Sequence, residues 1–206
     1  MLILFKRDIM LTNISKSLYE GRVSSYQVPE GAGLADWQFH AEEKNDLTDC
    51  WGALLQKLLR GVVDGKSYHI NAMYIEFDNS GGPVTPPVID PAAQLEYFNG
   101  LTGDQDYLRV PIIATSEEKS DPALPLSNVA VFLAHTSGSA GVNGLTFSNA
   151  AGSRIYGGAL VAMLDEQDPS QDIVFARWYF SESGKQLEKL ANAQIGIKWK
   201  SVFQPV

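Results

Sequence analysis

At 206 residues and 22.5 kDa the chain has the length of one domain, 1–206, able to bury roughly 70% of its unfolded surface without disulfides or metals. Twenty-four acidic residues against 16 basic give a net charge of −8, and the densest basic spot is the pair Lys6-Arg7. Phosphate contact needs clustered Lys and Arg, so direct nucleic-acid binding and an anionic membrane surface are both disfavoured.

The N-terminal stretch reads Met1-Leu-Ile-Leu-Phe-Lys-Arg-Asp-Ile-Met10. Its apolar residues precede the positive ones, no small-residue cleavage site follows, and no window approaches the roughly 20 apolar residues of a membrane span. A short strand, an arm over residues 1–11 that pairs with a neighbour, and a true start at Met10 all remain open. Residues 21–28 read as a strand, and 29–33 as a Pro/Gly loop. Trp37, Phe39 and Ala41 alternate with polar neighbours, which predicts a short half-buried strand. Leu47, Cys50, Trp51, Leu54, Leu55, Leu58, Leu59 and Val62 then recur at helical spacing. They predict one long amphipathic helix over 45–60, with Asn45 or Asp46 as its N-cap and the Trp51, Leu54, Leu55, Leu58 stripe packed on the sheet. Gly61 and Gly65 supply the stop and the turn. Cys50, on the apolar face, reads as a buried inert thiol, and a chain with a single Cys suits a reducing cytoplasm.

Residues 68–77 carry apolar groups on both faces, as a strand inside a sheet does. The loop 79–91 holds four prolines and cannot enter a ladder. Asp90-Pro91 starts a short helix that ends by Gly100. Residues 106–115 form a strand in which Pro111 requires an edge or a bulge. Residues 128–136 form an apolar strand, 137–144 a Gly/Ser loop, and 153–164 a strand whose Gly157-Gly158 marks a bulge or a close backbone approach. After the acidic turn 165–172 comes a strong strand, 173–180. Residues 185–191 suggest a helical turn, and Ile195, Ile197, Trp199 and Phe203 mark a half-exposed last strand. Strands separated by Gly/Pro loops, with one long helix and one short one, predict a mainly β (α+β) chain folded as an antiparallel β-sandwich.

Tests for chemistry return little. Arg60-Gly-Val-Val-Asp-Gly-Lys-Ser67 has the wrong spacing for a phosphate loop, and its order is helix, loop, strand, so no helix N-terminus faces a phosphate. In the Ser137–Gly141 stretch Gly138 abuts Ser139, without the spacing of a nucleophile elbow. His40, His69 and His135 lie on separate strands and lack short-range metal-ligand spacing. Asp165, Glu166, Asp168 and Asp172 lack the order of a calcium loop. Glu117 and Glu118 read as solvated. No catalytic, cofactor-binding or metal residues are assigned, and the expectation is a protein that is not an enzyme and needs no cofactor.

Four segments, 70–77, 106–111, 172–180 and 191–199, together resemble the small virion structural proteins of tailed bacteriophages, those of the neck, tail or baseplate. The resemblance spans roughly Asn45 to the C-terminus and brings no catalytic or metal residues with it. It implies a virion protein made in the host cytoplasm, a homo-oligomer whose partners are other virion proteins, with no direct nucleic acid and no membrane. The alternative from the residues is a carbohydrate- or receptor-binding β-sandwich module that uses Trp37 or Trp178 as an exposed aromatic.

Overall fold

Alternation along two strands far apart in sequence builds the wall around which the rest closes. The computed structural model describes residues 19–29, 31–47, 51–62, 65–78, 105–136, 140–141, 154–164, 173–180, 186–188, 190 and 193–204. In it Tyr19–Pro29 (β1) and Ala193–Phe203 (β10) pair antiparallel over their whole lengths. Val23, Ile195, Ile197 and Trp199 turn inward and are buried, while Arg22, Ser24, Lys198 and Lys200 turn outward. A side-chain period of two gives each strand one face for the core and one for water.

The remaining long strands are Gln38–Leu47 (β2), His69–Asp78 (β3), Gln105–Glu118 (β4), Val129–His135 (β5), Arg154–Met163 (β7) and Ile173–Tyr179 (β8). They join β1 and β10 in one ring, in the order β1, β2, β8, β7, β3, β4, β5, β10 and back to β1. Every pairing in it is antiparallel. Two short strands lie outside the ring: Ala140–Gly141 (β6) beside β4 and Leu187–Glu188 (β9) beside β7. The expected β-sandwich is therefore wrong. The architecture is an eight-stranded closed barrel, because β3 pairs β7 on one flank and β4 on the other, and β10 bridges β5 to β1. Strand-by-strand alternation is the same in a sandwich and a barrel; only these long-range pairings separate them.

An eight-stranded barrel leaves an interior that side chains can fill. Trp199, Trp178, Phe180, Met73, Ile75 and Leu160 do so here. The strands expected to be apolar on both faces have a reason to be. Met73 and Ile75 of β3, and Leu160 and Ala162 of β7, face the interior, while Ala72, Tyr74, Ala159, Val161 and Met163 form a second buried cluster with Val174 on the opposite face. Gly157 and Gly158 make the expected close approach: a Cβ there would stand 2.5 Å from the backbone oxygens of Trp178 and Tyr74 respectively. Pro111 lies in an interior strand, one residue before a register shift between Ile112 and Ala114, so the bulge reading holds and the edge reading does not.

The single described α-helix is Trp51–Arg60 (α1), shorter than the expected 45–60. Asn45 and Asp46 are not its cap; they end β2. The reason lies inside the barrel. With its amide turned to satisfy both atoms, Asn45 accepts from Trp199 Nε1 at 3.0 Å and from the Arg22 backbone N–H at 3.1 Å, and donates to the Tyr19 hydroxyl at 2.8 Å. Tyr19 OH also lies 3.3 Å from Ser201 Oγ. A side chain at Gly21 would occupy the space of that amide. This satisfied polar knot outweighs a capping role, since leaving several buried groups unpaired costs more than one cap contributes. The expected helical turn at 185–191 is also corrected: Leu187 and Glu188 form β9, with Leu187 buried against the core. The 1–11 arm, Cys50, the loop 79–91, the short helix at 90–100 and the acidic turn 165–172 fall outside the described residues.

Candidate functional site

Strand directions sort the described connections to two ends of the barrel. At one end β1 starts, β2 finishes, β3 and β8 start, and β10 finishes, so α1, which follows β2 after three residues, sits there. At the other end lies the hairpin turn between β1 and β2, with the end of β5 and the start of β10 beside it.

α1 is anchored by one described side chain. Leu54 is 1% exposed and belongs to the same cluster as Trp178 and Trp199. Of the stripe expected to bury with it, Leu55 is 44% exposed and Leu58 41%, and the Trp51 side chain lies outside the described ones; beyond that stripe Leu59 is 80% exposed and Val62 68%. Leu55, Leu58 and Leu59 run at the i, i+3, i+4 spacing of one helical face, turned to solvent, and Val62 follows just past the helix end. The expected packing of Leu55 and Leu58 on the sheet is thereby corrected. Leu54, Leu55, Leu58 and Leu59 spread over a wider arc than a ten-residue helix lays on the barrel, and Leu54 takes the inner side. Lys57 reaches over the Tyr68 ring, 5.4 Å from its centroid, and Arg60 lies in the last turn; no acid falls between residues 51 and 62. Gly61, at φ +75°, ends the helix, its N–H donating to Leu58 at 3.2 Å.

The far end carries an aromatic group. The hairpin turns at Gly31, φ +76°, with Ala32 N–H donating to Pro29 at 3.0 Å, and passes through a 3-10 turn at Leu34–Asp36. A register shift between Ser25 and Tyr26 then sets the phase of β2: Ala41 pairs with Ser25, but Phe39 with Tyr26. The extra residue, His40, puts Phe39 on the outer face at 62% exposure, where simple alternation had placed it with Ala41 on the buried side. Tyr26 meets Trp37 at 5.5 Å and Phe39 at 5.9 Å between ring centroids, and His135 stands edge-on to Trp37 at 6.2 Å. Trp37 can lie on β10 because residue 196 is Gly; a Cβ there would be 2.6 Å from the indole. Asp36 and Glu188 are exposed at this end, and Gln27 Nε2 donates to the Glu188 carbonyl at 2.8 Å.

The structure places the other sequence candidates apart. Trp178 is buried in the core and offers no exposed ring. His69 opens β3 at the α1 end, bonded to Ser67 and Asn71, whereas His40 and His135 lie at the hairpin end. His40 is edge-on to Phe180 at 5.8 Å. Glu117 is exposed; Glu118 is bonded to Lys200 at 2.8 Å, and that hydrogen bond, partly opposed by burial, holds its pKa below the ordinary 4.5. Among the described residues no group of three His, Cys, Asp or Glu could hold a metal ion, and no helix is long and apolar enough to cross a membrane. The arrangement offers two exposed surfaces: an apolar helix face with Lys57 and Arg60 at one end, and an aromatic face with exposed Asp36 beside Trp37 toward the other. Sequence reasoning expected the helix stripe to be buried, and of the aromatic face it singled out Trp37 alone. The excess width of the α1 stripe was the available signal for the first, and nothing local announced the bulge behind the second. Comparison with protein-family models, with characterised proteins and with solved structures finds no match to this chain.

Proposed function

We propose that the chain is a non-enzymatic structural component of a bacteriophage virion, in its neck, tail or baseplate, acting through protein–protein contacts. The observation that carries the assembly reading is the solvent-facing stripe Leu55, Leu58, Leu59 and Val62. Leu59, at 80% exposure, forgoes most of the roughly 1.5–3 kcal/mol that full burial would supply, and Leu55 and Leu58, already more than half buried, forgo less; clustered apolar exposure of this kind marks sites of protein contact. The virion assignment rests on the resemblance of segments 70–77, 106–111, 172–180 and 191–199 to such proteins. Its test is fractionation of particles from the cells that carry the gene. The chain should co-sediment with virions and resist salt washing; a chain found only in the particle-free supernatant would sink the assignment.

A second reading, a carbohydrate- or receptor-binding module, draws on the outward Phe39 beside Tyr26 and Trp37. Aromatic rings can stack on the apolar face of a sugar. Glycan-array binding that Phe39→Ala abolishes would put this reading first.

A further inference from the structure

We infer that the apolar face of α1 on one copy docks against the aromatic hairpin face of a second copy, head to tail. The inference rests on the assembly reading and names its partner. Among the described residues, Leu55, Leu58 and Leu59 of α1 with Val62 just after it form an apolar face at one end, and Phe39 with Tyr26 and Trp37 an aromatic face toward the other. They cannot cover each other within one molecule. β1 runs from one end to the other over residues 19–29, roughly 30 Å at ~3.3 Å per residue.

Charge selects the pairing. The helix segment 51–62 carries Lys57 and Arg60 and no acid, although the chain as a whole is at −8. The β1–β2 hairpin, residues 19–47, carries Glu20, Glu30, Asp36, Glu42, Glu43 and Asp46 against Arg22 and Lys44, and the bases lie toward the α1 end of its strands. Glu42 is bonded to Arg22, but Asp36, next to Trp37 in the chain, is exposed, as is Glu188 at the same end of the barrel. Two α1 faces brought together would oppose positive charges, and two hairpins negative ones. Helix against hairpin brings opposite charges together around an apolar centre, which favours the correct partner and suppresses the wrong one. Such a contact is heterologous: repeated, it closes a ring if the rotation between copies closes and otherwise extends as a stack.

The test uses the full chain and two exposed substitutions, Leu59→Asp on the helix and Phe39→Asp on the hairpin, with unchanged circular dichroism and thermal melting as the control for folding. By sedimentation, the wild type should form oligomers beyond a dimer, and each variant alone should run as a monomer. Mixed, the two variants should give a 1:1 dimer and nothing larger, since only the intact helix of the Phe39→Asp copy and the intact hairpin of the Leu59→Asp copy can meet. A wild type that stays monomeric at its highest soluble concentration would overturn the inference, leaving the virion reading to the particle fractionation. Oligomers that survive both substitutions would overturn it too while supporting self-assembly through another face. If Leu59→Asp alone dissociates the oligomer, the contact is helix to helix; if Phe39→Asp instead abolishes glycan binding by a monomer, the hairpin is a sugar site. Either result refutes the head-to-tail contact.

Discussion

The last strand and the helix are comparably apolar in sequence and meet opposite fates. In β10, Ile195, Ile197 and Trp199 are all buried, and the alternating Lys198 and Lys200 stand outside. In α1, Leu54 is buried while Leu55, Leu58 and Leu59 face solvent. The difference is one of neighbours. β10 is held between β1 and β5, so both its ladders are fixed and its inner face has nowhere to go but the interior. α1 lies at one end of the barrel and has only one side against it. Periodicity reports that a face is apolar, and the topology decides whether the molecule itself covers it.

The contrast is sharpest at adjacent helical positions. Leu54→Ala should destabilise by ~2–5 kcal/mol, because it empties a site inside the cluster that holds Trp178 and Trp199. Denaturant melts of the purified chain measure this directly. A loss below ~1 kcal/mol would mean that α1 is peripheral to the fold altogether.

A smaller effect is expected at the polar knot beneath the helix. Asn45→Ala leaves the Trp199 indole N–H and the Tyr19 hydroxyl without this partner, and should cost ~1–3 kcal/mol. Because Gly21 is packed against the amide, Asn45→Leu has no room to repair the loss with apolar volume and should be at least as damaging. If Asn45→Leu proved more stable than the wild type, the knot would be a tolerated cost and not the feature that holds β2 to this end.

How much of this was legible divides along the same line. Local period found nearly every strand, and the extremes of composition at Gly157-Gly158 correctly foretold a close approach. Closure was invisible, because it depends on pairing residues as distant as Tyr19 and Phe203. Sandwich and barrel share one alternation pattern, and no residue type marks the join. The start of α1 misled for a related reason: Asn45 has the chemistry of a cap, and only the arrival of Trp199 from the far end of the chain gives its amide a better use. At the hairpin, one bulge at His40 moved Phe39 from the expected inner face to the outer one, and such an extra residue leaves no periodic trace. Of the two exposed apolar faces, then, the helix could be found in the sequence but not its exposure, and of the aromatic face Trp37 could be singled out but not Tyr26 and Phe39 beside it.

On the exposed side of α1 the expected stability effect nearly vanishes. Leu59→Ser should change the stability of the isolated chain by no more than ~0.5 kcal/mol, since the side chain is already 80% exposed. The same substitution should weaken self-association clearly. A large stability loss in dilute protein, with oligomerisation unaffected, would show that the stripe is covered by its own chain.

The smallest effect belongs to the outer surface of the wall itself. Glu118 accepts a hydrogen bond from Lys200 at 2.8 Å, and this bond, with the charges of Lys200 and Lys198, lowers its pKa below 4.5 against the opposing effect of burial. A carboxylate with a lowered folded-state pKa favours the fold when it is ionised. Its contribution is therefore fully present above the ordinary carboxylate range and is lost as the pH falls through the folded value. With the Glu118 side chain 41% exposed, solvent screening holds the contribution to ~0.5 kcal/mol or less. Urea melts of the wild type and Glu118→Gln should differ by that small amount near neutrality and converge in acid, and added salt should shrink the gap. A difference that instead grew as the pH fell would mean that Glu118 folds in its protonated form, which the bond to Lys200 forbids.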